Sequence, residues 1–92
     1  MLTGIYTKQF AEVFESLLST SGISCYQLSQ YADINQAYLS RLKSGEKTNP
    51  SPEIVMRIGL ALVHFSENVK ISDVEKLFNA TGRTMFPKHR GY

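Results

Sequence analysis

Apolar residues recur along this chain in helical steps, and short polar stretches with Gly, Asp or Pro separate them. Phe10, Val13, Phe14, Leu17 and Leu18 fall three, one, three and one residues apart, the spacing of one amphipathic helical face. Thr7 is placed to cap that helix. Gly22 is placed to stop it, because Gly adopts left-handed backbone at a helix end without steric cost. Residues 1–6 are then expected to form a loosely held arm.

The next signals come in quick succession. Ser24 with Gln27 three residues on makes a capping box for a second helix, whose apolar face is Leu28 and Ala32. Ile34 follows one residue after a turn, and Asn35 can cap a third helix over 36–44. Leu39 and Leu42 give that helix its inner face, and Gly45 closes it. A polar loop over 46–49 leads to Ser51, a cap with Pro52 at the first helical position, where a missing N–H is harmless. Ile54, Val55, Ile58, Ala61 and Leu62 form the apolar face of this fourth helix. Ser72 and Glu75 read as a second capping box, for a fifth helix from 73 to about 80 that buries Val74, Leu77 and Phe78 and ends at Gly82. Short amphipathic helices joined by polar loops predict an all-α class, a compact five-helix bundle.

Bulk properties narrow this further. Ninety-two residues make one domain, and 42% hydrophobic residues exclude a wholly disordered chain. No apolar run approaches the ~20 residues that span a bilayer, and no secretory signal pattern opens the chain. A single cysteine cannot form an internal disulfide, which fits a reducing, cytoplasmic setting. Net charge is only +2, but its distribution is uneven. Residues 1–35 carry Lys8 against Glu12, Glu15 and Asp33. Residues 36–50 carry Arg41, Lys43 and Lys47 against Glu46. The stretch 81–92 carries Arg83, Lys88 and Arg90 and no acid, a basic C-terminal tail.

Little suggests catalysis or metal chemistry. His64 and His89 lie far apart, with no Cys or carboxylate at ligand spacing. There is no nucleophile elbow and no Gly-rich phosphate loop. Cys25 begins a helix, where oxidation next to a bound partner would act as a switch; an inert, partly buried thiol is the plainer reading. The expectation is a non-enzyme with no cofactor and no metal. Tyr6, Phe65, Met85, Phe86 and Tyr92 fall outside the core pattern, and the last three sit in the basic tail, where apolar residues suit an interface with a protein partner.

Leu28, the turn around Asp33 and Ile34, the run Tyr38-Leu39-Ser40-Arg41-Leu42, Ser44-Gly45, Asn49-Pro50-Ser51 and the apolar stretch 54–62 together resemble one family. It is the phage repressor and Cro family of helix-turn-helix proteins, also called the xenobiotic-response-element type. The resemblance covers residues 7–80 or so. It implies a lambda-repressor-like fold with the helix-turn-helix at helices two and three. It also implies sequence-specific binding of double-stranded DNA, by a small prokaryotic or phage transcriptional repressor that occludes a promoter. A module of this size covers a half-site, so a homodimer on a palindromic operator is expected, with the fifth helix and tail as the dimer surface.

By position, the resemblance assigns base reading to Gln36, Ala37, Ser40 and Arg41. Gln36 can pair with adenine through N6 and N7, Arg41 with guanine through O6 and N7, and Ala37 can touch a thymine methyl. Phosphate contacts fall to Asn35, Tyr38, Lys43, Ser44, Lys47, Thr48 and Asn49, which position the domain without reading sequence. Three residues depart from the family pattern. Cys25 stands where a Gln usually braces the first recognition residue. Ser29 stands for Ala, and its hydroxyl is expected to bond the carbonyl four residues back. Asp33 stands for the Gly of the turn, at a position that wants positive φ. An antitoxin of the same fold, repressing its own operon, and a protein-interaction module that has lost DNA binding are the alternatives. Steep salt dependence of binding would separate DNA binders from the last.

Overall fold

Left-handed backbone at Gly22, Asp33 and Gly45 divides the first half of the chain into separate helices (φ +77°, +58° and +88°). The computed structural model describes residues 2–47 and 49–82, with residues 2–8 described by backbone alone. Among these residues the chain forms five helices and no strand: α1 (Leu2–Ser21), α2 (Cys25–Ala32), α3 (Gln36–Ser44), α4 (Pro52–Phe65) and α5 (Ile71–Asn79). None of them is long and apolar enough to cross a membrane.

Most local signals act as the sequence predicts. Ser24 Oγ accepts from Gln27 N–H at 3.1 Å, and Gln27 Oε1 accepts from Ser24 N–H at 3.0 Å, a complete capping box. Ser51 Oγ accepts from Ile54 N–H at 3.2 Å, with Pro52 opening α4. Asp33 is the one described non-Gly residue with positive φ. Its N–H and that of Ile34 both donate to the Ser29 carbonyl, which ends α2 and turns the chain.

Three boundaries and bonds differ from the sequence reading. α1 begins at Leu2 rather than near Thr7, so residues 2–6 are helical and not a loose arm. That stretch holds no Pro, and Gly4 alone disfavours a helix by only about 1 kcal/mol. α5 begins at Ile71, which places Ser72 inside the helix and not at its cap. The Asp73 carboxylate instead accepts from Lys70 N–H at 2.9 Å; lysine has no acceptor to return, so this is one arm of a capping box. Burial of Val69 (2% exposed) fixes the entry of the chain at that point, three residues ahead of Ser72. Lastly, Ser29 Oγ donates to the Tyr26 carbonyl at 2.6 Å, three residues back instead of four, because a short hydroxyl meets that carbonyl first.

The core gathers the predicted apolar faces. Phe10, Phe14, Leu28, Leu39, Leu42, Val55, Ile58, Leu62, Val74 and Leu77 are all at most 1% exposed, and Ile34 is 7% exposed. Val69, Ala80 and Pro50 join them from loops. α1 lies against α3, α4 and α5; α2 packs on α3 and α4; and α4 pairs with α5. α3 is thereby held from inside by α1 and α2, and its other side faces solvent.

Candidate nucleic-acid interface

α3 is short, so its caps matter. Asn35 Oδ1 accepts from Ala37 N–H at 2.8 Å and from Tyr38 N–H at 3.2 Å, which satisfies donors that a helix start leaves open. Leu39 and Leu42 are fully buried, and Tyr38 is half-buried against the same cluster. At the far end Gly45 N–H returns to the Leu42 carbonyl at 3.2 Å. Fastened this way, the helix keeps one orientation.

What remains is an exposed polar strip. Gln36, Ser40 and Ser44 follow one another at i, i+4, i+8, and Ala37 and Arg41 run beside them; all five are exposed. The predicted base-reading residues Gln36, Ala37, Ser40 and Arg41 are therefore brought together on one face. Lys43 is also exposed, but falls on a different side of the helix from Arg41. It lines a groove of about 840 Å³ where the end of α1, the start of α2 and α3 meet, with Ser19, Ser24, Cys25, Ser40 and Ser44 also on its walls. Cys25 is half-buried there.

The predicted phosphate-contacting residues are divided. The oxygen of the Asn35 side chain is engaged by the cap, which leaves its amide NH2 to donate outward. Ser44 Oγ donates to the Arg41 carbonyl at 3.1 Å and accepts from Glu46 N–H at 3.3 Å, so its hydroxyl already serves the helix end. Lys47 N–H donates to the same Arg41 carbonyl at 3.0 Å, curling the loop back on α3. The Lys47 and Asn49 side chains are exposed, and Thr48 lies outside the described residues. So do residues 83–92, and with them most of the basic tail and its expected partner or dimer role.

Charge on α3 and the loop that follows it is mainly positive. Among the described residues, ion pairs join Glu53 to Arg57 at 2.8 Å and Asp73 to Lys76 at 3.5 Å; Arg41, Lys43 and Lys47 belong to neither. Solvated, uncommitted cations suit an anionic partner. No group of His, Cys, Asp or Glu among the described residues is arranged to hold a metal ion.

Two features escape a reading by sequence position. Arg57 of α4 reaches the α2–α3 turn, and the one forewarning is its i, i+4 spacing from Glu53. Tyr31 of α2 stacks on His64 at the end of α4, with ring centroids 4.6 Å apart, and Phe65 meets Tyr31 edge-on at 4.9 Å. Together with Tyr26 (57% exposed), Tyr31 and Phe65 leave an aromatic surface open to solvent, lined by residues of α2 and the end of α4.

The chain matches no protein-family model, no curated protein and no solved structure.

Proposed function

We propose that this chain is a sequence-specific double-stranded DNA-binding protein of the phage repressor and Cro helix-turn-helix kind, with a lambda-repressor-like bundle and α3 as the recognition helix. The observation that carries the reading is the strip of Gln36, Ala37, Ser40 and Arg41 on a helix pinned by Leu39 and Leu42. Side chains that bond base edges stand on the outer face of a rigid element, and a major groove admits one helix of that width. The uncommitted cations Arg41, Lys43 and Lys47 supply the attraction to phosphate. No catalysis and no cofactor enter this mechanism. The protein acts by occupying a promoter, as a homodimer on a palindromic operator in the cytoplasm.

Selection of bound duplexes from a random library, with Arg41→Ala selected in parallel, tests the reading. The expected result is an enriched palindrome whose half-site loses preference at one base pair in the variant. A folded protein that enriches nothing at low salt would end it.

A second reading is favoured by the open aromatic surface of Tyr26, Tyr31 and Phe65. Exposed aromatic residues grouped on one face are typical of protein contacts. An antitoxin that binds its own promoter and a protein partner would use both faces. A protein-interaction module without DNA binding would use the aromatic one alone, and its binding would respond weakly to salt.

A further inference from the structure

A single side chain ties the α2–α3 turn to α4. Arg57 Nη1 donates to the Asp33 carbonyl at 3.4 Å, a long bond that joins residues 24 positions apart. Arg57 Nη2 meets Glu53 Oε2 at 2.8 Å, one helical turn earlier on α4. Glu53 thus holds the guanidinium from one end while the turn receives it at the other. The left-handed backbone of Asp33 (φ 58°) takes its carbonyl out of the α2 ladder and makes it available to a donor from a neighbouring helix.

The position of this contact matters. Asn35, the cap of α3, lies two residues beyond Asp33, and Gln36 lies three beyond it. Arg41 is held by other means: the fully buried Leu39 and Leu42 flank it, and its carbonyl accepts from Lys47 N–H and Ser44 Oγ at the far end of the helix. We infer that Arg57 is a positioning residue for the start of α3, setting where Gln36 and Ala37 stand relative to the bundle while leaving Arg41 to its own anchors. Its consequence for recognition rests on the DNA-binding reading; the tie itself does not. Both side chains of the pair are well exposed, 43% for Arg57 and 72% for Glu53, so their attraction adds little to stability. Position, not folding energy, is what the contact controls.

Arg57→Lys isolates the effect. It keeps the charge, and so the long-range attraction to DNA, but replaces the two rigidly spaced nitrogens that meet the Asp33 carbonyl and Glu53 with one nitrogen on a flexible stem. The full chain would be compared with this variant by backbone amide NMR and thermal unfolding. Its affinity for the selected duplex would be measured at fixed salt, alone and combined with Gln36→Ala or Arg41→Ala. The expected pattern is graded along α3. Amide shifts move at residues 34–37 and stay in place at 40–44, while the unfolding midpoint changes by less than about 4 °C. DNA affinity drops roughly five-fold, and the loss is non-additive with Gln36→Ala but additive with Arg41→Ala. Glu53→Gln gives the same pattern at smaller amplitude. Unmoved amides at 34–37, or additivity with both partners, would overturn the inference. If the unaltered protein selects no duplex, the DNA-binding reading fails, and the amide shifts alone decide whether the tie holds.

Discussion

Gly59 and Val74 approach so closely that α4 has no room for a side chain there: a Cβ at Gly59 would lie 2.5 Å from Val74 Cγ1 and 3.0 Å from Cγ2. Val74 is 1% exposed and β-branched, so it has few rotamers into which to retreat. Gly59→Ala gains about 1 kcal/mol of helix propensity but overpacks the α4–α5 contact, at a cost of about 1–3 kcal/mol. A net loss of roughly 1 kcal/mol is expected in urea unfolding. In a Val74→Ala background the same substitution should cost less, because the two obstructing methyls are gone and only the Cβ of residue 74, at 3.3 Å, still has to give way.

Asp33 is a second strained point. Its φ of 58° lies in a region that Asp visits more readily than most residues with a Cβ. A β-branched residue is far less tolerant. Asp33→Val should lower stability by about 1–2 kcal/mol, and Asp33→Gly should not. Matched chemical-denaturation curves would show the difference, and equal losses in both variants would mean that the carboxylate matters more than the backbone.

Caps provide a test of which local signals the fold uses. Ser51 Oγ bonds the start of α4, and Asn35 Oδ1 bonds two N–H groups at the start of α3. Ser51→Ala and Asn35→Ala should each cost about 1 kcal/mol. Ser72 lies within α5 and caps nothing, so Ser72→Ala should fall within about 0.5 kcal/mol of the parent. Thermal unfolding of the three variants side by side would rank them.

DNA binding should separate α3 from the loop that follows it. Arg41→Ala is expected to cost about 1–3 kcal/mol against the preferred duplex and to relax choice at one base pair. Lys47→Ala should weaken binding to all sequences alike and reduce the slope of log K against log salt by about 1. Titrations at several salt concentrations with preferred and scrambled duplexes separate the two behaviours. A preference unchanged in Arg41→Ala would move that residue to the phosphate group.

Much of the helical plan was legible locally. Ser24 with Gln27, Asn35, and Ser51 with Pro52 work through bonds spanning two or three residues, and such signals need no tertiary context. The boundaries that went astray had a misleading signal or none. At α5, Ser72-x-x-Glu75 is the capping signal the sequence shows, because Lys70 has no side-chain acceptor; the helix instead starts at Ile71, with Val69 buried and the Asp73 carboxylate accepting from Lys70 N–H. At α1, nothing in residues 2–6 is unfavourable enough to end a helix that the following turns already support. The four base-reading candidates on α3 share a face because helical spacing alone puts them there.

Sequence by itself determined the helical class, the positions of most caps and turns, and which face of each helix is apolar. These depend on side-chain periodicity and on backbone bonds between near neighbours. Tertiary structure alone decided which faces meet. The closeness of Gly59 to Val74, the reach of Arg57 to the Asp33 carbonyl and the stacking of Tyr31 on His64 each join residues from separate elements of the fold. No local pattern encodes such contacts. They follow from the angle and separation at which α2, α4 and α5 pack, and those are set by the summed fit of the whole core.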